Sequence, residues 1–74
     1  MKLRLFGKPG CHLCEAAEAE LRRWPHELEV VDISNDQHLV AEYGLRIPVL
    51  RVGKNEYDAP LTREVIARAL RGHG

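Results

Sequence analysis

The strongest constraint on the fold is a change of hydrophobic period within the first half of the chain. Leu3 and Leu5 alternate with Lys2 and Arg4 as in a half-buried strand, with Phe6 at its end, before Gly7 and Pro9-Gly10 break the run. Over residues 12–24 the apolar positions Leu13, Ala17, Leu21 and Trp24 recur at three- or four-residue steps. Glu15, Glu18, Arg22 and Arg23 face elsewhere, which is the pattern of an amphipathic helix, and Pro25 stops it. Residues 28–33, Leu-Glu-Val-Val-Asp-Ile, return to the β-branched composition of a strand, and the adjacent Val30 and Val31 mark that strand as mostly buried. A strand, a helix and a second strand in this order require a right-handed crossover, so the two strands are parallel.

The second half obeys the opposite constraint. Ser34 and Gln37 have capping-box spacing and open a short helix whose apolar face is Leu39, Val40 and Tyr43, with Gly44 placed to close it in the left-handed conformation. Ile47-Pro48-Val49-Leu50-Arg51-Val52 reads as a third strand entered through a proline. Gly53-Lys54-Asn55 then turns the chain into a short strand through Glu56 and Tyr57, and a loop this short permits a hairpin and not a crossover. Thr62 caps a last helix with the stripe Leu61, Val65, Ile66, Ala69 and Leu70, a Glu64–Arg68 pair, and Gly72 at its end. The expected fold is α/β, in the order β-α-β-α-β-β-α, with a four-stranded mixed sheet and helices on both faces, in one domain of residues 1–74.

A chain of 74 residues is near the size where a hydrophobic core gives only about 3 to 5 kcal/mol. Eleven basic residues against eleven acidic ones leave no net field for polyanions, so nucleic acid is not an expected partner. No apolar run approaches the length of about 18 residues that crosses a bilayer, and the first six residues are too short and too charged for a secretory signal. A cytoplasmic monomer without membrane association is expected. Trp24, Tyr43 and Tyr57 are too scattered for base stacking and read as core or rim residues.

The chain holds two cysteines, and they stand three apart as Cys11-His12-Leu13-Cys14, between the first strand and the first helix. In a reducing compartment a permanent structural disulfide is disfavoured, so such a pair points to redox chemistry or metal binding. At a helix N-terminus the unpaired N–H groups and the positive end of the dipole favour a thiolate, lowering a cysteine pKa from about 8.5 into the range of roughly 3.5 to 7.5. Cys11 is therefore the candidate nucleophile, and Cys14, one turn further on the same face, the candidate resolving thiol. Lys8 is the nearest cation in sequence and either stabilises that thiolate, holds a substrate carboxylate, or is simply a solvated loop lysine. His12 either adds positive charge beside Cys11 or points to solvent. Pro48 begins a strand that can lie beside the cysteine loop, with trans the default for Ile47-Pro48 from sequence alone. Arg46, next to that turn, is a candidate to bind a substrate carboxylate or contact the thiolate region. A zinc site from Cys11 and Cys14 with His12, His26, His38 or His73 would need scattered ligands, since no second Cys-x-x-Cys and no closely spaced His pair is present, and no metal is assigned. A docking module with incidental thiols is the remaining alternative.

With these elements in place the chain resembles the glutaredoxin-like branch of the thioredoxin superfamily over nearly its full length. More narrowly it is similar to small bacterial glutaredoxin-like proteins that carry Cys-His-Leu-Cys and Tyr-Gly-Leu-Arg-Ile/Val-Pro-Val-Leu, here Cys11 to Cys14 and Tyr43 to Leu50. The resemblance implies a sheet ordered 2-1-3-4, a cis Ile47-Pro48 bond whose main chain pairs with a bound peptide or glutathione, Cys11 as attacking thiol, and Lys8 as a glutathione carboxylate contact. It also implies a thiol-disulfide oxidoreductase with no tightly bound cofactor, glutathione as a candidate reductant, and disulfide-containing proteins or glutathione as partners. The chain departs from the family's Cys-Pro-Tyr-Cys, its Thr-Val-Pro, and its Gly-Gly then Asp stretch. Cys-His-Leu-Cys, Arg46-Ile47-Pro48 and Tyr57-Asp58-Ala59-Pro60-Leu61 stand there instead, which leaves the reductant open.

Overall fold

The computed structural model describes residues 2–71; the expected helix end at Gly72 and the candidate ligand His73 lie outside them. The elements follow as β1 (Lys2–Gly7), α1 (His12–Leu21), β2 (Glu27–Asp32), α2 (Gln37–Tyr43), β3 (Val49–Val52), β4 (Asn55–Tyr57) and α3 (Arg63–Arg71). The four strands form one sheet in the order β2-β1-β3-β4. β1 runs parallel to β2 with Leu5 opposite Val30, and antiparallel to β3 with Leu5 opposite Leu50, while β3 and β4 close an antiparallel hairpin. The crossover and the hairpin thus impose the two strand directions expected of them, and the fold is thioredoxin-like.

Strand alternation divides the core between the two faces of the sheet. Leu3, Leu5, Leu50 and Val52 pack with Ala17 and Leu21 of α1 and with Ile66, Ala69 and Leu70 of α3. Phe6 and Val49 point the other way and meet Ile33 and Tyr43, with Leu39 of α2 against them. The Tyr43 ring stacks on Phe6 with centroids 4.2 Å apart, so one aromatic pair joins the short α2 to the sheet. No helix among the described residues is long and apolar enough to cross a membrane.

Several local details differ from the sequence expectation. The first helix ends at Leu21 and not at Trp24, because Arg23 and Trp24 turn back in tight bonds to Glu20 and Leu21 and Pro25 disfavours helical backbone at Trp24. β2 is an edge strand, and Val30 is 43% exposed where burial was expected. The N-cap of α2 is Asp36, whose carboxylate accepts the N–H groups of His38 and Leu39; Ser34 instead donates its N–H and hydroxyl to Asp32. Val40 is exposed, since this seven-residue helix has one narrow buried edge. Gly44 stays right-handed, at φ −53° and ψ −35°. Its lack of a side chain is explained by the Val40 carbonyl oxygen, which a Cβ would meet at 2.5 Å. The hairpin loop is only Gly53-Lys54, with Asn55 already paired to Val52, and Gly53 at φ 62° takes the first central position that glycine serves in such turns. Thr62 caps α3 as expected, its hydroxyl accepting the Val65 N–H. Glu18 pairs with Arg22 at 2.8 Å, but no ion pair joins Glu64 to Arg68.

Candidate active site

The cysteine loop leaves the end of β1, where Gly10, at φ 79°, takes a left-handed turn that a residue with a side chain rarely adopts. Cys11 follows as the N-cap of α1, with extended backbone at φ −90° and ψ 107°. Its Sγ accepts the main-chain N–H of Cys14 at 3.2 Å, and its carbonyl accepts the N–H of Glu15. Sulfur thus occupies the position that a serine or aspartate oxygen takes in an ordinary cap, in the field of the helix N-terminus. The two cysteines are joined as a disulfide with Cα atoms 5.2 Å apart. They are not equivalent: Cys14 is 6% exposed, whereas Cys11 is only partly covered. A nucleophile at Cys11 can be reached by a bulky disulfide, and one at Cys14 cannot.

Gly7 explains how Cys14 fits. A Cβ at this position would lie 3.0 Å from both Cβ and Sγ of Cys14, so the resolving side chain packs into the space of the missing side chain. Gly7, which in sequence reads as a break after the strand, is the last residue of β1, paired to Asp32. A cavity of about 260 Å³ reaches Cys14 between α1 and β2, with Leu5, Gly7 and Val30 as apolar lining and Lys8, Glu15, Glu18 and Asp32 as charged lining. Lys8 is exposed at this mouth, and its carbonyl accepts the Cys11 N–H at 3.4 Å. Asp32 is held below its ordinary carboxylate value by the Ser34 hydroxyl and then the Ser34 N–H, so it stands ionised. The His12 side chain is 98% exposed and lies 3.9 Å from Glu15, turned to solvent.

The Ile47-Pro48 bond is cis, and so, without a sequence signal, is Ala59-Pro60. Pro48 is buried, Ile47 is partly buried, and the Ile47 N–H is bonded to the Tyr43 carbonyl. Pro48 and Pro60 share a groove of about 280 Å³ with Leu13, which stands between the cysteines, and with Leu61 and Thr62 before α3. The disulfide loop, the two prolines and the start of α3 therefore border one trough.

Arg46 takes partners that the sequence did not reveal. Its guanidinium donates to both oxygens of Asp58 at 2.9 to 3.2 Å, to Glu56 at 3.0 Å and to the Glu42 carbonyl, and it lies over the Tyr43 ring. Its main-chain carbonyl accepts the Ala59 N–H. These bonds tie the segment before Pro48 to the segment before Pro60 and leave the guanidinium engaged with protein carboxylates. Tyr43 completes the cluster by donating its hydroxyl to Glu56 at 2.7 Å. That bond, followed by the one from Arg46, lowers the Glu56 pKa from its ordinary 4.5, while donation to Glu56 and then burial raise that of Tyr43.

A carboxyl with a depressed native pKa stabilises the fold fully above its ordinary value, and that stabilisation is lost as the pH falls through the native value. The Glu56 contribution is therefore present at pH 7 and disappears on acidification below about 4.5. A Glu56→Gln variant is expected to be less stable than the parent at pH 7, by less than about 1 kcal/mol, with the gap closing toward pH 3. Urea denaturation at the two pH values measures both, and a gap that widens on acidification contradicts the assignment.

Among the described residues no group of three or more His, Cys, Asp or Glu side chains is placed to hold a metal ion. The fold and the cysteine pair define a thioredoxin-fold protein with a Cys-x-x-Cys disulfide at a helix N-terminus. Residues 2–71 match the model of the glutaredoxin-like domain (DUF836), and the chain belongs to that family. The structure is similar to the X-ray structure of Northeast Structural Genomics target protein XcR50 from X. campestris, with a TM-score of 0.81 and 34% identity over 95% of this chain and 96% of that one. It also matches the structure of a malarial protein in fold, at a TM-score of 0.66 and 15% identity over 97% of this chain and 94% of the other. No curated protein matches the sequence.

Proposed function

We propose that this protein is a thiol-disulfide oxidoreductase, a reading carried by one observation: Cys11 Sγ caps α1, accepts the Cys14 N–H and lies at bonding distance from Cys14. In the reduced form the same N–H and the dipole stabilise a Cys11 thiolate. The thiolate attacks one sulfur of a substrate disulfide, a mixed disulfide forms, and the other substrate sulfur leaves as a thiolate that takes a proton from water. Cys14 then loses its proton into the adjoining cavity, which is large enough to hold water, and attacks Cys11 Sγ. The second substrate thiol is released. Two electrons have passed to the substrate, and the Cys11–Cys14 bond remains for an external thiol reductant to reopen.

Pro48 borders the trough in which the substrate lies against Leu13, with Ile47 preceding it in the chain, and Lys8 meets a carboxylate near Cys14. His12 contributes long-range charge only when protonated, since it faces solvent. The proposed substrates are disulfide-containing proteins or glutathione, the proposed reductant is a thiol such as glutathione, and the cycle needs no bound cofactor. A reducing cytoplasm suits a monomer working this way.

Equilibrating the protein across glutathione redox buffers, followed by mass mapping, tests the reading. The Cys11–Cys14 bond is expected to form and reopen reversibly, with a tenfold change in its equilibrium constant per roughly 30 mV. Thiols that stay reduced throughout, or a bond that never reopens, would refute the proposed cycle.

A further inference from the structure

The trough beside the disulfide does not end at α3. Glu20 and Arg63 line it and also line a second, larger depression of about 970 Å³ that continues between α1 and α3 to Trp24. The continuation is basic, with Arg23, Arg63, Arg68 and Arg71 set against Glu20 and Glu64. The carboxylates neutralise it only in part: Glu20 pairs with Arg23 at 3.9 Å and with Arg63 at 3.7 Å, and among the described residues no ion pair engages Arg68. Arg63 occupies the first turn of α3 beside Glu64, at a position where the helix dipole favours an acidic side chain.

We infer that this α1–α3 groove docks an acidic segment of the disulfide-bearing polypeptide that Cys11 reduces, an inference that rests on the oxidoreductase reading. Guanidinium forks match carboxylates in pairs, and a partly exposed Trp24 offers an apolar floor for the stems of glutamate side chains. The spacing follows from geometry. Leu13 and Glu20 are separated along α1 by about 10 Å of helix rise, the span of roughly three extended residues. The acidic stretch therefore begins about three residues from the substrate cysteine.

Trp24 is the chain's single tryptophan, so its emission reports occupancy of the groove. Two peptides serve as probes, each with serine in place of the reactive cysteine, two neutral residues, and then four glutamates or four glutamines. At low salt the glutamate peptide is expected to shift Trp24 emission and bind the oxidised protein about tenfold more tightly than the glutamine peptide. The preference is expected to vanish in 0.5 M salt, on the order of a 4 Å screening length, and in an Arg68→Glu/Arg71→Glu variant shown to be folded by circular dichroism. Arg68→Gln/Arg71→Gln serves if that variant does not fold. Equal affinities, a preference that survives the substitutions, or equally tight binding of inorganic polyphosphate of the same charge would overturn the inference. Because these probes carry no thiol, loss of disulfide chemistry in the redox titration would remove the oxidoreductase reading and leave the docking result to be judged separately.

Discussion

Cys11→Ser is expected to lower the rate of disulfide reduction by about a thousandfold or more, because a serine hydroxyl stays protonated at the position where a thiolate is stabilised. Cys14→Ser is expected to behave differently. The first attack remains, substrate stays attached to Cys11 as a mixed disulfide, and turnover stops unless an external thiol releases it. The asymmetry comes from packing: Cys14 is 6% exposed and sits against Gly7, while Cys11 stands at the mouth of the helix. Stopped-flow release of a chromophoric thiol, with mass analysis of the products, reads both steps. A Cys11→Ser protein that reacts at the parental rate would remove the mechanism, and a mixed disulfide found on Cys14 would reverse the two roles. Neither substitution is expected to unfold the chain, since closing so short a loop restrains the unfolded state by only about 2 kcal/mol in the loop-entropy model.

The elements were legible because their periods are clean. Leu3, Leu5, Leu50 and Val52 alternate, and Ile66, Ala69 and Leu70 fall on one helical stripe, so the same residues that signal strand or helix also form the core between the sheet and the helices α1 and α3. The cysteine pair was legible for the same reason, since a strand and a helix on either side fix it at a helix N-terminus. Legibility failed where the cause is not local. Val30 has the composition of a buried strand, but sheet order puts it at the edge and opens the cavity beside Cys14. Gly7 reads as a break, and only the arrival of Cys14 from α1 shows that it is an accommodation. Ser34 and Asp36 compete to cap the same helix, and the outcome turns on Asp32, which engages the Ser34 hydroxyl. Ala59-Pro60 carries nothing in sequence to distinguish it from a trans bond, although it borders the same trough as Pro48.

Arg46→Ala is expected to reduce kcat/KM for a peptide disulfide by about tenfold while leaving the Cys11 pKa unchanged. The reasoning starts from its partners. The guanidinium joins Asp58 and Glu56, from the hairpin side, to the turn that ends α2 through the Glu42 carbonyl. Both of the tethered segments run directly into the cis prolines that line the trough beside Leu13. Without the guanidinium, Glu56 and Asp58 face each other unneutralised and repel, and the two prolines lose their common anchor. Substrate alignment then suffers although the thiolate and its N–H donor stay in place. Ultraviolet titration of the Cys11 thiolate separates this role from direct contact: a guanidinium touching the thiolate would, on removal, raise the Cys11 pKa. Arg46→Lys keeps the charge but not the fork that grips both oxygens of Asp58, so it is expected to recover only part of the loss. Full activity in Arg46→Ala, or a Cys11 pKa that rises with it, would show that the arginine does not act by holding the two proline segments together.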